Sequence, residues 1–183
     1  MSDDLVEAFY RLVRTSLLDK MNTCTVGQIE TYDYKTRKAT VIPSIKKVFT
    51  DGTVLEYKAI PDVPVLWLGT KQASIRFPLK KGDYVILLIT QRSIDTWLYK
   101  GGVVAPLSTR SFDICDAIAI PGILPFNENS DDSGENENIE IFYKGSNVMI
   151  KPNGDIRIDT GKCSIVLSSD SVDINNGNLT IGV

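Results

Sequence analysis

Apolar residues near the start of the chain recur at steps of three and four. Between positions 3 and 21 they are Leu5, Val6, Phe9, Leu12, Val13, Leu17 and Met21. Such steps place side chains on one face of an α-helix. Ser2, Asp3 and Asp4 supply a candidate N-cap and negative charge for the first turn. We therefore predict an N-terminal helix within 1–22, packed either on its own domain or on a neighbouring subunit.

From residue 23 to residue 125 the pattern changes to short β-branched runs separated by turn residues. The predicted strands are Thr23–Glu30, Lys38–Ile45, Ile45–Phe49, Val54–Ile60, Val63–Leu68, Ser74–Phe77 and Tyr84–Thr90. Pro64 indicates an edge strand, Asp51-Gly52 indicates a hairpin turn, and the nearly all-apolar run at 84–90 is expected to be central and buried. Short strands with regular turns predict a small OB-like β-barrel over 23–125.

From Ile139 onward, pairs of apolar residues with one residue between them alternate with turns rich in Gly, Asn, Asp and Ser. The pairs are Ile139/Ile141, Val148/Ile150, Ile156/Ile158, Ile165/Leu167, Val172/Ile174 and Leu179/Ile181. Each strand-and-turn unit offers only two apolar side chains on one face, so it cannot form a core alone. We predict that three chains intertwine over 139–183 into a β-helix or β-prism, with the last five pairs as the trimer core. A small open sheet packed on the barrel is the alternative.

Charge separates these regions. The 183 residues carry 20 basic and 23 acidic side chains, a net charge of −3. Residues 1–120 hold 16 basic and 13 acidic residues, whereas 121–183 hold 4 and 10. The stretch 126–138 has five acids and one apolar residue, too few apolar groups to fold by itself. We interpret 126–138 as an acidic linker or loop.

The chain contains no histidine. This excludes a Ser–His–Asp triad, a Cys–His pair, an imidazole base and a His-ligated metal. The three cysteines, Cys24, Cys115 and Cys163, are far apart and form no CxxC motif, which argues against a zinc site or a disulfide framework. They are expected to be small buried residues of a chain made in a reducing cytoplasm. No cofactor is expected.

A basic segment allows one other function, single-stranded nucleic-acid binding, which OB barrels often perform. Its side chains are Lys35, Arg37, Lys38, Lys46 and Lys47, with Tyr32, Tyr34 and Phe49 nearby. The net charge of +3 over 1–120 is far from a basic footprint, so we do not expect nucleic acid as a partner. A receptor- or carbohydrate-binding tail module is a further alternative, but the C-terminal repeat offers only Phe142 and Tyr143 as aromatic residues.

An ordered set of residues in 65–122 carries a family resemblance. A Pro-Leu-x-x-Gly-Asp turn precedes a strand that ends in Arg-Ser, with Asp and Trp close behind. A Phe-x-Ile-x-Asp-Ala-Ile segment and a Pro-Gly pair follow. The residues are Pro78, Leu79, Gly82, Asp83, Arg92, Ser93, Asp95, Trp97, Phe112, Asp116, Ala117, Ile118, Pro121 and Gly122. The set resembles the N-terminal OB domain of central spike proteins from contractile-tailed phages, and the C-terminal repeat is similar to their trimeric β-helix.

These motif residues look architectural. Gly82-Asp83 suits a tight turn, Arg92 could form an ion pair with Asp116 or equally with Asp95, and Trp97 is expected to pack. A general acid/base pair among the aspartates is conceivable, as in glycosidases. Nothing in the sequence marks a substrate cleft, so we expect a protein that is not an enzyme.

The resemblance implies a mechanical role. Such a protein is a homotrimer in the tail baseplate of the virion, made in the host cytoplasm and joined to hub proteins below the tail tube. On contraction it passes through the host outer membrane. Longer spikes of this family end in an iron site held by His-x-His, which this chain cannot build. We therefore expect Leu179, Ile181 and Val183 to offer a docking surface for a separate tip protein.

Overall fold

A computed structural model describes residues 2–13, 21–49, 52–128 and 137–178. The chain divides into two compact units, residues 1–126 and 127–183. Both are built mainly from antiparallel strands. Within the described ranges, no helix has the length and apolar character needed to cross a membrane.

The chain begins with helix α1, Ser2–Val13. Its sequence supports an exposed ion pair between Glu7 and Arg11, with 3.6 Å from Oε1 to Nη2, a spacing of one helical turn. The predicted continuation of this helix toward Met21 falls on residues 14–20, which lie outside the described part. Helix α1 presents Leu5, Phe9 and Leu12 along one side, 74%, 62% and 63% exposed.

Unit 1 continues as a five-stranded sheet with additional short elements. In chain order these are β1 Cys24–Asp33, β2 Lys38–Pro43, β3 Lys47–Val48, β4 Val54–Leu55, β5 Ile60–Pro64, β6 Tyr84–Ile89, α2 Asp95–Lys100, a 3₁₀ turn Ile114–Asp116 and β7 Ala117–Pro121. The strand order of the sheet is β5-β2-β1-β6-β7, and β3 pairs with β4 as a separate hairpin. Gly52 of that hairpin has φ +83°, whereas Asp51 lies outside the described residues.

The sheet of unit 1 curls until its two outer strands approach each other. The backbone N–H of Leu66 donates to the carbonyl oxygen of Ala119 at 2.9 Å, and Val65 forms a parallel bridge with Ala119. Gly27 allows close packing inside the curl, since a Cβ there would lie 2.5 Å from Val41 Cγ1. The result is a curled half-barrel, which confirms the prediction of a mainly β chain with a barrel-like sheet.

The inside of the half-barrel is an apolar core. Its members, each at most 6% exposed, are Ile29, Ala39, Val41, Ile60, Val63, Val65, Val85, Leu87, Ile89, Ala117 and Ala119. Strand β6 contributes alternate residues only, because neighbouring side chains of a strand point to opposite faces. Leu88 is therefore 45% exposed, and the expectation that the whole run 84–90 is buried is wrong.

Several local predictions also change. Ser74 makes only an isolated bridge to Gly69, so the predicted strand at 74–77 does not form. All three cysteines are exposed rather than buried. Each lies at an element end or in a turn: Cys24 begins β1, Cys115 is in the 3₁₀ turn, and Cys163 precedes a C-terminal strand.

Unit 2 is an antiparallel sheet in which each strand pairs with the next one along the chain. Its strands are β8 Ile139–Tyr143, β9 Ser146–Ile150, β10 Ile156–Asp159, β11 Ser164–Leu167 and β12 Val172–Ile174. Gly145, Gly154 and Gly161 take φ values of +80°, +88° and +78° in the tight turns, a conformation that glycine adopts without strain. One chain thus forms an open sheet over 139–174. Of the predicted linker 126–138, residues 129–136 lie outside the described part.

Candidate functional site

The strand register of unit 2 brings the apolar pairs into two parallel rows on one side of the sheet. The first row is Ile139, Ile150, Ile156, Leu167 and Val172. The second row is Ile141, Val148, Ile158, Ile165 and Ile174. We call these ten side chains the apolar face. Their alignment follows from the period-two pattern, because any slip by one residue would turn a strand's apolar residues to the other side.

The apolar face is open to solvent in a single chain. No residue between 137 and 178 is buried. Ile158 and Ile165 remain 41% and 39% exposed, although they lie on inner strands with neighbours on both sides. Ile139 and Val172, on the outer strands, are 69% and 62% exposed. Since full burial of such a side chain stabilises by about 1.5–3 kcal/mol, covering the remaining exposed half would contribute on the order of 1 kcal/mol per residue.

The opposite side of this sheet is mostly polar. Its central row runs through Glu140, Met149, Arg157, Val166 and Asp173. The Arg157 guanidinium donates from Nε to Asp159 Oδ2 at 2.9 Å. This bond, supported by the backbone N–H of Gly161, lowers the pKa of the Asp159 carboxyl. The two faces therefore differ in chemistry, and the polar one suits contact with water.

The predicted trimer-core residues can now be placed. Val148, Ile150, Ile156, Ile158, Ile165, Leu167, Val172 and Ile174 all lie on the apolar face. The remaining two, Leu179 and Ile181, and with them the proposed tip-docking residue Val183, lie outside the described residues. A single chain does not test the association itself, which stays a prediction.

Unit 1 holds a second notable group, a polar clamp made of Arg110, Asp116, Asp95 and Ser93. Arg110 donates from Nε to Asp116 Oδ2 at 3.1 Å and from Nη2 to Asp116 Oδ1 at 3.0 Å. The same Nη2 reaches Asp95 Oδ2 at 2.8 Å and Ser93 Oγ at 3.2 Å. The Asp116 side chain is only 1% exposed. Hydrogen bonding to Asp116 raises the pKa of Arg110, against a smaller opposing effect of burial.

The polar clamp corrects one sequence prediction. Arg92 pairs with neither aspartate; its Nη1 donates to the Ser111 hydroxyl. Arg110 takes the role assigned to Arg92, and the sequence reasoning missed it. One signal could have identified it, because Arg110 is the only basic residue between Lys100 and Asp116. The clamp fastens the start of α2 and the 3₁₀ turn to one another, so it holds the connection between β6 and β7 in place.

The other motif residues occupy turns and surfaces. Gly82 has φ +99°, and Asp83 Oδ2 accepts from the backbone N–H of Lys80 at 2.6 Å. Backbone bonds between this turn and Ile29 join it to β1. Pro121 ends β7, and Gly122 has φ +117°. Trp97 lies in α2 and is 54% exposed, so its ring is only partly packed, and a structural role for it stays a prediction.

Comparison with known proteins adds the family. Residues 26–122, just over half of the chain, match the family described as Phage protein Gp138 N-terminal domain. The matched region contains the polar clamp and the curled sheet except for the first two residues of β1. No curated protein matches the chain. The extent of the family match places this chain in the family of phage proteins that carry the Gp138 N-terminal domain.

Proposed function

We propose that this phage protein is the central spike of a contractile tail baseplate, a homotrimer with an N-terminal OB-fold domain and a C-terminal intertwined β-helix. The observation that carries the proposal is the exposed apolar face of unit 2. Ten aligned side chains on one side of a sheet, with no second layer among residues 137–178, need a cover. Copies of the same chain can supply it.

Three such faces meeting around a common axis would enclose the two apolar rows and leave the polar faces outside. The stiffness of the spike would come from strands that run transverse to the axis. Neighbouring strands would lie about 4.8 Å apart along it. A load along the axis would then be shared by many backbone hydrogen bonds. The host outer membrane would be pierced mechanically, without a cofactor or a catalytic step.

In this assembly the curled sheet of unit 1 would join the hub proteins and cap the tail tube. The aspartates considered for acid/base chemistry have structural partners that fit such a role. Asp116 and Asp95 accept from Arg110, and Asp83 accepts from the Lys80 backbone. A separate tip protein at the C-terminal end remains part of the proposal.

Nucleic-acid binding is less well supported by the charges. Of the five basic residues that favoured it, Lys38 pairs with Asp62 at 3.3 Å and Lys46 with Glu56 at 2.5 Å. Both pairs reduce the positive potential that a phosphate backbone would need. Salt-sensitive binding of the full chain to single-stranded DNA would favour this alternative.

The proposal is tested by two neighbouring substitutions on β11. Ile165→Glu places a charge on the apolar face, whereas Val166→Glu places the same charge on the polar face, where Val166 lies opposite Arg157. We expect wild type and Val166→Glu to have three times the 20.2 kDa mass of one chain by light scattering, and Ile165→Glu to have the mass of one. A wild-type protein with the mass of a single chain would contradict the proposed spike.

A further inference from the structure

Unit 1 carries an open apolar cleft of about 440 Å³. Three separate segments line it: the chain after β5, the segment leading into β6, and the chain around the end of β7. Among its lining side chains, Leu66, Leu68, Phe77 and Leu124 are 48%, 71%, 52% and 50% exposed. Four large, half-exposed apolar residues from distant parts of the chain around one cleft are more than scattered surface residues, and such a patch marks an interaction site.

Helix α1 of the same chain has an apolar side that fits such a cleft. Leu5, Phe9 and Leu12 follow the i, i+4, i+7 spacing by which an amphipathic helix enters an apolar groove. An amphipathic helix gains most of its stability when its apolar side packs on other structure. It does not occupy the cleft of its own chain, because no α1 residue lines that cleft and Leu5 and Phe9 are 74% and 62% exposed.

We infer that α1 of one copy docks in the apolar cleft of a second copy. This inference rests on the proposed homotrimer. Each chain then gives one helix and receives one. This contact joins two different surfaces, the helix of one copy and the cleft of the next. It closes into a ring when the rotation between neighbouring copies brings the last copy back into contact with the first. Three identical contacts would link the three half-barrels once the apolar faces of unit 2 have brought the chains together.

Complementary charges support α1 as the element that binds in the cleft and indicate its orientation there. The first turn of α1 carries the exposed Asp4, whereas Glu7 pairs with Arg11 on the opposite side of the helix. The turn that leads into β6, at the border of the cleft, carries Lys80 and Lys81, both exposed. The one acidic lining residue, Asp83, already accepts from the Lys80 backbone. The acidic first turn of α1 is therefore expected to lie toward Lys80 and Lys81.

The contact is tested by cross-linking the full chain with a short bis-maleimide after Cys24, Cys115 and Cys163 are replaced by Ser. One chain carries Phe9→Cys and a second, differently tagged chain carries Leu68→Cys, and the two are co-expressed. We expect a two-chain product in denaturing gels. Its yield should exceed by about tenfold that of a matched Arg11→Cys chain, since docking raises the effective concentration of the facing thiols. Arg11 lies on the opposite side of α1.

The outcomes separate the inference from the spike. A two-chain product above the Arg11→Cys control supports docking between copies. If a chain with both Phe9→Cys and Leu68→Cys links only within itself, α1 serves its own cleft and the inference is wrong. The inference is also wrong if no cross-linked product exceeds the control while light scattering still gives the mass of three chains. That result would leave the proposed function intact. A wild-type protein with the mass of one chain would overturn both.

Discussion

The two units use the same kind of strand to opposite effect. In unit 1, all five strands of the curled sheet and the residue after β5 contribute to a core of eleven side chains at most 6% exposed. In unit 2, five strands with equally regular alternation leave no residue between 137 and 178 buried. Apolar content alone does not explain the difference, since both sheets have one apolar side. Only one of the two sheets closes around that side.

Strand length explains why. Strand β1 has ten residues and shifts register between Ile29 and Thr31, an irregularity that bends a strand and increases its twist. A long bent strand can take part in a sheet that wraps around its own core. The strands of unit 2 have three to five residues and tight turns between them, so they are too short to curl. In the proposed spike, their second layer comes from other copies of the chain.

The largest expected change in stability distinguishes the closed core of unit 1 from the apolar face of unit 2. Leu87→Ala removes a fully buried side chain of the half-barrel and should reduce the free energy of unfolding by about 3 kcal/mol. This loss should be the same at any protein concentration. Ile158→Ala on the apolar face, where the side chain is 41% exposed, should cost little in a single chain and act mainly by weakening association.

Two spectroscopic probes distinguish the units in these variants. Both tryptophans, Trp67 and Trp97, lie in unit 1, so their fluorescence reports the half-barrel, whereas far-UV circular dichroism reports both sheets. A dichroism transition without a fluorescence change belongs to unit 2. It should move to lower temperature on dilution if association stabilises this unit. A unit 2 transition independent of concentration would contradict the view that its core lies between chains.

The next effect concerns the polar clamp of unit 1. Arg110→Ala leaves the Asp116 carboxylate, 1% exposed, without its partner. An uncompensated buried charge is costly. Because the Arg110 side chain is 39% exposed and water can enter the gap, we expect a loss of about 2 kcal/mol. Arg92→Ala is the matched control and should change the free energy by less than about 0.5 kcal/mol. Equal losses in the two variants, measured by denaturant unfolding, would reject the clamp.

Short-range patterns predicted much of this fold. The apolar pairs of unit 2 located five strands, because a strand of alternating residues followed by a glycine turn is specified by neighbours in sequence. The edge position of Pro64 and the barrel-like sheet followed from similar local signals. In each case the relevant contacts form between residues that are close in the chain or between adjacent strands.

The predictions that were wrong share one physical cause. Each depended on how the chain folds over longer distances, which local patterns do not specify. The sequence reasoning assigned Arg92 to Asp116, but the loop between β6 and β7 brings Arg110 to that carboxylate instead. The apolar run of β6 gave no indication that Leu88 would face outward from a single curled layer. Cys24, Cys115 and Cys163 are exposed because they lie at element ends or in turns, which composition does not reveal. No local pattern predicted the cleft that Leu66 and Leu124 share.

The smallest effect concerns the polar face of unit 2 and follows from the Arg157–Asp159 pair. The bond from Arg157 lowers the pKa of Asp159 from its ordinary value of 3.8. A lowered pKa means that the pair stabilises the folded state fully above pH 3.8 and that this contribution disappears as the pH falls through the lowered value. Arg157→Gln should therefore lower the melting temperature of the unit 2 dichroism transition slightly at pH 7. Its difference from wild type should shrink as the pH falls below 3.8.

Lys162→Gln is the control, because it removes a positive charge from the next turn without touching this pair. Its difference in melting temperature from wild type should not shrink in this way as the pH falls. A constant offset for Arg157→Gln across the acid range would mean that the pair contributes nothing, and that unit 2 depends on its apolar face alone.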